Sequence, residues 1–119
     1  MNLVHWTYTR EEWRNFKASN AGKIKFVSRL IGKIMSVKPV PEIRITPDQV
    51  VIGERKHLFN DQNHQLKDVD IREEGPVNII EITFERTANK STMNIRVPVP
   101  KGKLREALEM RDRLMGKRR

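Results

Sequence analysis

The apolar positions near the start of the chain follow a helical spacing. Thr9 and Glu12 fit the Ser/Thr-x-x-Glu capping box, in which each side chain accepts a hydrogen bond from the other residue's backbone N–H. Trp13 and Phe16 follow three residues apart and give the first turns an apolar side. We therefore predict a helix that begins after Thr9, preceded by a short strand or an extended lead-in over residues 3–8.

A second helix is predicted over residues 24–37, after a break at Asn20-Ala21-Gly22 where glycine disfavours helix. At about 100° per residue, its apolar positions fall within half of the helical circle. They are Ile24, Phe26, Val27, Leu30, Ile31, Ile34, Met35 and Val37. The opposite side carries a row of like charge, Lys25, Arg29 and Lys33. This basic helix is predicted to end before Pro39.

Beyond Pro39 and Pro41 the apolar period changes to two, which indicates strands. Alternating or β-branched stretches predict six short strands joined by short turns. They lie at residues 42–46, 50–52, 56–59, 66–72, 80–85 and 93–99. Short turns favour consecutive antiparallel hairpins. The last strand ends at Pro98 and Pro100, and a final amphipathic helix runs from Leu104 to a stop at Gly116.

These elements predict an α+β protein with two parts. Residues 1–38 form an N-terminal helical arm, and residues 39–119 form an antiparallel β-domain with a C-terminal helix. Six or seven strands are expected to make a barrel or sandwich, with the last helix capping its open end. Leu104, Leu108 and Met115 are predicted to seal that end against apolar strand residues. Those strand residues are Ile43, Ile80, Ile82, Ile95 and Val97.

Charge is unevenly distributed along the 119 residues, which carry 24 Lys and Arg against 15 Asp and Glu. Residues 39–100 are near neutral, whereas both ends are strongly basic. This asymmetry indicates an anionic partner, either phosphate backbone or acidic lipid, or else simply solvated helix faces. The chain has no cysteine, which excludes disulfides, thiol nucleophiles and Cys-based metal sites. With no secretory signal or spanning apolar run, a cytoplasmic chain at the inner face of a membrane is expected.

The chain contains the stretches Tyr8-Thr9-Arg10-Glu11-Glu12-Trp13, Pro41-Glu42-Ile43-Arg44-Ile45-Thr46-Pro47 and Arg96-Val97-Pro98-Val99-Pro100-Lys101-Gly102. These three stretches resemble those of small bacterial pleckstrin-homology-like proteins. The resemblance implies a pleckstrin-homology-like barrel or sandwich with an N-terminal helical arm and a C-terminal capping helix. Such relatives often carry hydrophobic membrane segments between the first helix and the strands. Here only the basic helix occupies that place, so the resemblance implies surface association.

The turn that corresponds to the lipid-binding loop of many pleckstrin-homology domains is Thr46-Pro47-Asp48-Gln49. It holds one acid and no base, so inositol phosphate recognition in the eukaryotic manner is not expected.

The basic helix is the main candidate site, with three interpretations. In the first, its apolar half packs on the barrel and its bases face water. In the second, Lys25, Arg29 and Lys33 meet anionic headgroups. Phe26, Leu30 and Ile34 then insert among the lipids. In the third, the apolar face associates with a second copy and forms a homodimer.

A second candidate is an anion site at the start of the last helix, formed by Lys101, Lys103 and Arg105. Cations at a helix N-terminus oppose the dipole, so a bound anion would complete the site. The alternative is an exposed turn.

Two further clusters favour ordinary surface roles. Asp68, Asp70, Glu73 and Glu74 are predicted to form a solvated strand face, with cation binding or docking of a basic element as the alternative. His57 and His64 flank a polar turn, and no metal site is predicted there.

We interpret the chain as a non-enzymatic binding or scaffold module whose basic arm meets an anionic membrane surface or a protein partner. No nucleophile–base pair or cofactor fingerprint is present, so no catalytic residue, cofactor or metal is expected. The alternative is a nucleic-acid-binding protein that uses the basic N- and C-terminal segments. Only seven aromatic residues are available for base stacking.

Overall fold

The computed structural model describes residues 2–20 and 40–116. Within them, strands and helices follow in a fixed order. They are β1 (Val4–Trp6), α1 (Arg10–Asn20), β2 (Ile43–Ile45), β3 (Gln49–Ile52), β4 (Arg55–Leu58), β5 (His64–Glu74), β6 (Val77–Arg86), β7 (Thr92–Val99) and α2 (Leu104–Gly116). The predicted α+β class with antiparallel strands is confirmed.

The strands form two antiparallel sheets, one with the order β1-β2-β3-β4 and the other with the order β5-β6-β7. In the first sheet Ile43 pairs with both Trp6 and Ile52, so apolar residues line up across three strands. In the described part of the chain, no backbone ladder joins the four-stranded sheet to the three-stranded one. The antiparallel hairpins predicted from the alternating residues are therefore present as two sheets.

A β-bulge in β5 explains why the inward residues of this strand do not alternate throughout. Leu66 pairs with Phe84 and Asp68 pairs with Thr83, which leaves Lys67 as the extra residue. Leu66 and Val69 are consequently both buried although they lie three positions apart. Ile71, two positions after Val69, is only partly buried.

Helix α1 packs against β6 and β7 of the three-stranded sheet. Trp13 and Phe16 are buried, with ring centroids 5.5 Å apart. The consecutive residues Ile79 and Ile80 point to opposite faces of β6 and are both fully buried, so both faces of this strand are covered here. Tyr8, just before the helix, donates a hydrogen bond from its hydroxyl to the carbonyl of Pro98 at 2.7 Å.

Helix α2 packs against β5 of one sheet and β1 of the other. Its buried face consists of Ala107, Met110 and Leu114. Leu104 and Leu108 are instead 41% and 38% exposed, so their predicted role in sealing the domain is wrong. The helix is rotated by roughly a quarter turn from the expected orientation. Met115, the third predicted residue, is partly buried against the core.

Residues 2–20 contribute to the same packed body, since β1 pairs with β2 and α1 packs on β6 and β7. The proposed boundary at residue 38 and the basic helix predicted at residues 24–37 lie outside the described residues.

Candidate functional site

The predicted capping box is present at the start of α1. Glu12 Oε1 accepts a hydrogen bond from the backbone N–H of Thr9 at 2.8 Å, and Thr9 Oγ1 accepts one from the backbone N–H of Glu12 at 3.1 Å. The second carboxylate oxygen of Glu12 accepts from the backbone N–H of Lys101 at 2.6 Å. One carboxylate therefore caps α1 and also fixes the turn that leads into α2.

The ionisation of Glu12 reflects these contacts. Partial burial alone would raise the pKa of this carboxyl group. Backbone hydrogen bonds from Lys101 and Thr9, the Thr9 hydroxyl and the positive charge of Lys101 together outweigh burial and lower the pKa below its usual value. The structure thus favours the charged form of Glu12.

The turn before α2 takes a tight backbone path. Gly102 has a φ of +84°, in the left-handed region that favours glycine, and the backbone N–H of Lys103 donates to the carbonyl of Pro100 at 3.0 Å. After the turn, Glu106 accepts a hydrogen bond from Trp6 Nε1 at 3.1 Å and pairs with Lys103 Nζ at 3.1 Å. The hydrogen bond from Lys103, and then that from Trp6, lower the pKa of Glu106.

The three residues of the predicted anion site lie together here, and Lys101, Lys103 and Arg105 are all exposed. Two carboxylates lie among these cations. Glu12 accepts a hydrogen bond from the backbone N–H of Lys101, and Glu106 forms an ion pair with the ammonium group of Lys103. These two acids compensate for the unfavourable placement of cations at the positive end of the helix dipole, so a bound anion is not needed for that purpose. An external anion would have to compete with Glu106 for Lys103.

A cavity of about 400 Å³ adjoins this turn, which is within the range of small-molecule pockets. Its wall combines the first turns of α1 with the adjacent ends of β6 and β7. Residues from these parts include Glu11, Asn15, Asn78, Pro100 and Leu104. The lining is mixed in polarity.

The acidic cluster predicted on β5 is partly neutralised by arginines. Arg96 is 3% exposed and contacts Glu74 at 2.6 Å and Glu81 at 3.3 Å. Arg72 contacts Glu81 at 3.4 Å and Asp70 at 3.1 Å. This network connects all three strands of the sheet. It pairs Asp70 and Glu74, two of the four acids in the predicted cluster, with arginines.

Sequence reasoning missed the burial of this network, although a signal was present. Glu81 and Arg96 are direct cross-strand partners on the adjacent strands β6 and β7. Opposite charges at paired positions favour an ion pair. The remaining two acids of the cluster, Asp68 and Glu73, are exposed as predicted.

The histidines of the polar turn lie in different environments. His64 Nδ1 lies 2.8 Å from Asp61 Oδ1, and this hydrogen bond is the largest cause of the lowered pKa of Asp61. His57 is half-buried, and its buried Nε2 atom has no hydrogen-bond partner among residues 2–20 and 40–116. Burial and then the charge of Arg55 lower the pKa of His57. Among the described residues, no group of three His, Asp or Glu side chains could hold a metal ion.

The six candidate residues of the basic helix lie outside the described residues. They are the bases Lys25, Arg29 and Lys33 and the apolar residues Phe26, Leu30 and Ile34. Where the structure describes the chain, no helix has the length and apolar character needed to cross a bilayer.

Comparison of the chain with protein-family models, with curated proteins and with solved structures finds no match. Its function is therefore inferred from its own residues.

Proposed function

We propose that the chain is a non-enzymatic binding module of the pleckstrin-homology-like type, held at an anionic membrane surface by its basic segments. The observation that carries this proposal is a segregation of charge. The described residues contain 16 Lys and Arg and 15 Asp and Glu. Residues 21–39 add five bases and residues 117–119 add three, with no acid in either segment.

This distribution suits attraction to an anionic surface. Each base near such a surface contributes about 1 kcal/mol, and the attraction extends over roughly one Debye length. A nearly neutral body neither opposes nor replaces that attraction. Insertion of Phe26, Leu30 and Ile34 would add apolar burial to the electrostatic term.

The fold arrangement supports the pleckstrin-homology-like part of the proposal. The resemblance implies six or seven antiparallel strands closed by a C-terminal helix, and the seven described antiparallel strands followed by α2 are compatible with that layout. The finer description, a barrel or sandwich formed by both sheets, belongs to this proposal. One buried cluster that contains side chains from both sheets and both helices supports it.

Membrane contact through the turn at residues 46–49, between β2 and β3, is less well supported than membrane contact through the basic segments. Thr46 Oγ1 donates to Asp48 Oδ1 at 2.7 Å, and the backbone N–H of Gln49 donates to Thr46 Oγ1 at 3.2 Å. Internal hydrogen bonds therefore occupy this turn, which also carries an acid. Both observations favour the basic segments as the membrane-facing parts.

Nucleic acid is the alternative partner, and the aromatic residues argue against it. Single-strand binders stack bases on exposed aromatic rings. Every aromatic side chain in the described residues is buried or half-buried. They are Trp6, Tyr8, Trp13, Phe16, Phe59 and Phe84.

Vesicle sedimentation tests the proposal. The chain is mixed with vesicles of neutral lipid alone or of neutral lipid with phosphatidylserine, in low and in high salt. Binding is expected only to the anionic vesicles and should weaken with salt. The triple variant Lys25→Glu, Arg29→Glu, Lys33→Glu should lose about 100-fold or more in affinity, since three attractive charges become repulsive.

A matched control has the same net charge as that variant, but its three substitutions lie on α1 instead of in residues 24–37. Arg10, Arg14 and Lys17 are exposed residues of α1, and their replacement by Glu alters the total charge equally. This control should retain most of the binding. Equal loss in both variants would show that net charge alone is responsible, and tighter binding to a short oligonucleotide than to vesicles would favour the alternative partner.

A further inference from the structure

Helix α2 carries more apolar surface than the body of the protein covers. Ala107, Met110 and Leu114 are buried, whereas Leu104 and Leu108 are 41% and 38% exposed. At about 100° per residue, the two exposed leucines lie on one stripe, roughly a quarter turn or more away from the buried face. Met115, seven residues after Leu108, lies on the same side of the helix and is partly buried against the core.

We propose that this exposed leucine stripe is a self-association surface, on which α2 of one copy packs antiparallel to α2 of a second copy. The twofold axis would pass beside Leu108, so that this residue contacts Leu108 of the second copy. Leu104 would then lie over the apolar stem of Arg111 of the second copy. This inference is independent of the proposed membrane role.

Charge complementarity supports a second copy of the chain as the partner that covers the leucine stripe. Arg105 and Asp112 flank the leucine stripe on the same side, both exposed, seven residues apart. When the axis passes just beyond Leu108, positions whose numbers add to 216 or 217 lie within about one residue rise of the same level. Arg105 of one copy is therefore level with Asp112 of the other, and symmetry repeats this pair.

The same charges disfavour a parallel arrangement. In a parallel twofold pair, Arg105 and Asp112 of the two copies would lie on opposite sides of the interface, so neither charge would gain a partner of opposite sign from this pairing. Within the described residues, Arg105 has no ion pair, and Asp112 pairs only with the adjacent Arg111 at 3.5 Å. Both flanking charges are thus accessible to a second copy.

The expected dimer is weak because the stripe is short. It spans only 11 residue steps from Leu104 to Met115, or about 16 Å at the helical rise. Interfaces smaller than about 1,200 Å² are typical of transient association. Dimerisation should therefore depend on protein concentration.

Sedimentation velocity on the full chain at about 10 to 500 µM gives the first test. The weight-average mass should rise toward that of a dimer with concentration. Leu108→Glu should remain monomeric throughout, and an exposed residue tolerates this change. Leu58→Glu is the matched control, since Leu58 is 40% exposed on β4, and it should dimerise as the original chain does.

Reversal of charge tests the orientation. Arg105→Asp and Asp112→Arg should each weaken dimerisation about fivefold, because each disrupts two symmetric pairs. The double variant should regain most of the affinity. A double variant weaker than either single one would overturn the antiparallel arrangement.

Cross-linking tests the position of the axis, because the chain contains no cysteine. Leu108→Cys should form a disulfide-linked dimer under mild oxidation, whereas Met93→Cys, placed on β7, should not. A chain that stays monomeric at all concentrations, or a dimer that persists in Leu108→Glu, would overturn the proposal. Loss of the dimer in Leu30→Asp but not in Leu108→Glu would assign association to the basic helix instead.

Discussion

Replacement of Glu12 by glutamine tests how the start of α1 is joined to the turn before α2. The carboxylate of Glu12 accepts backbone hydrogen bonds from Thr9 at 2.8 Å and from Lys101 at 2.6 Å, one on each oxygen. Glutamine has nearly the same shape but replaces one acceptor oxygen with an NH₂ donor. One of the two backbone N–H groups must therefore lose its partner.

The expected cost follows from the two contacts. A hydrogen bond to a charged group contributes about 1.5–3 kcal/mol, and a helix cap contributes about 1 kcal/mol. Glu12 is only half-buried, so water replaces part of what is lost. We expect the free energy of unfolding to fall by about 2 kcal/mol, which lowers the Tm by about 8 °C in a domain of this size.

The pH dependence has a defined sign. The pKa of Glu12 is lower in the folded state than in the unfolded chain, so its ionised form stabilises the fold. This contribution is complete above the unfolded pKa of about 4.3 and disappears as the pH falls through the folded value. The stability difference between the original chain and Glu12→Gln should accordingly be largest near pH 7 and shrink below about pH 4.5.

Urea denaturation followed by tryptophan fluorescence at several pH values measures this difference. Glu11→Gln is the matched control, because Glu11 is exposed in the same helical turn and its carboxylate makes no hydrogen bond to another described residue. It should change the stability by less than about 0.5 kcal/mol. Equal effects of the two substitutions, or a difference that does not change with pH, would refute the role assigned to Glu12.

Three further changes have expected outcomes in the same denaturation assay. Arg96→Leu should cost about 3 kcal/mol because it leaves Glu81 buried beside one remaining arginine, and adding Glu81→Leu should recover part of that loss. Gly75→Ala should cost about 1 kcal/mol because of its φ of +61°, and Gly75→Asn should cost less because asparagine tolerates this conformation, so an equal cost in both variants would contradict this cause. Met110→Ala should cost about 3 kcal/mol and Leu108→Ala less than about 1 kcal/mol, whereas the reverse order would contradict the observed orientation of α2.

Sequence patterns correctly predicted those elements that depend on residues close together in the chain. The capping box at Thr9 and Glu12 depends on residues three positions apart, and both of its hydrogen bonds are present. The stretch of alternating residues at 42–46 corresponds to β2, with Ile43 and Ile45 buried on one face. In both cases the signal and the structure lie within one turn or one strand.

Features that depend on distant residues were not predictable in this way. The contact of Glu12 with Lys101 joins positions 89 residues apart, and no local pattern in either stretch indicates it. The orientation of α2 was mispredicted because apolar residues cover a wide arc of this helix. Periodicity indicates such an arc, but the packing of β1 and β5 decides which part of it is buried.

The two proposals concern different parts of the chain, and together they explain why the surplus charge and the surplus apolar surface are separated. A basic membrane-binding segment that also carried the dimer contact would bring like charges together in the interface. Association through α2 instead uses a helix face flanked by Arg105 and Asp112, whose charges balance. It also doubles the number of basic segments in one assembly, and multivalent attachment strengthens binding without any new contact to lipid. A near-neutral body with basic segments is therefore compatible with both functions.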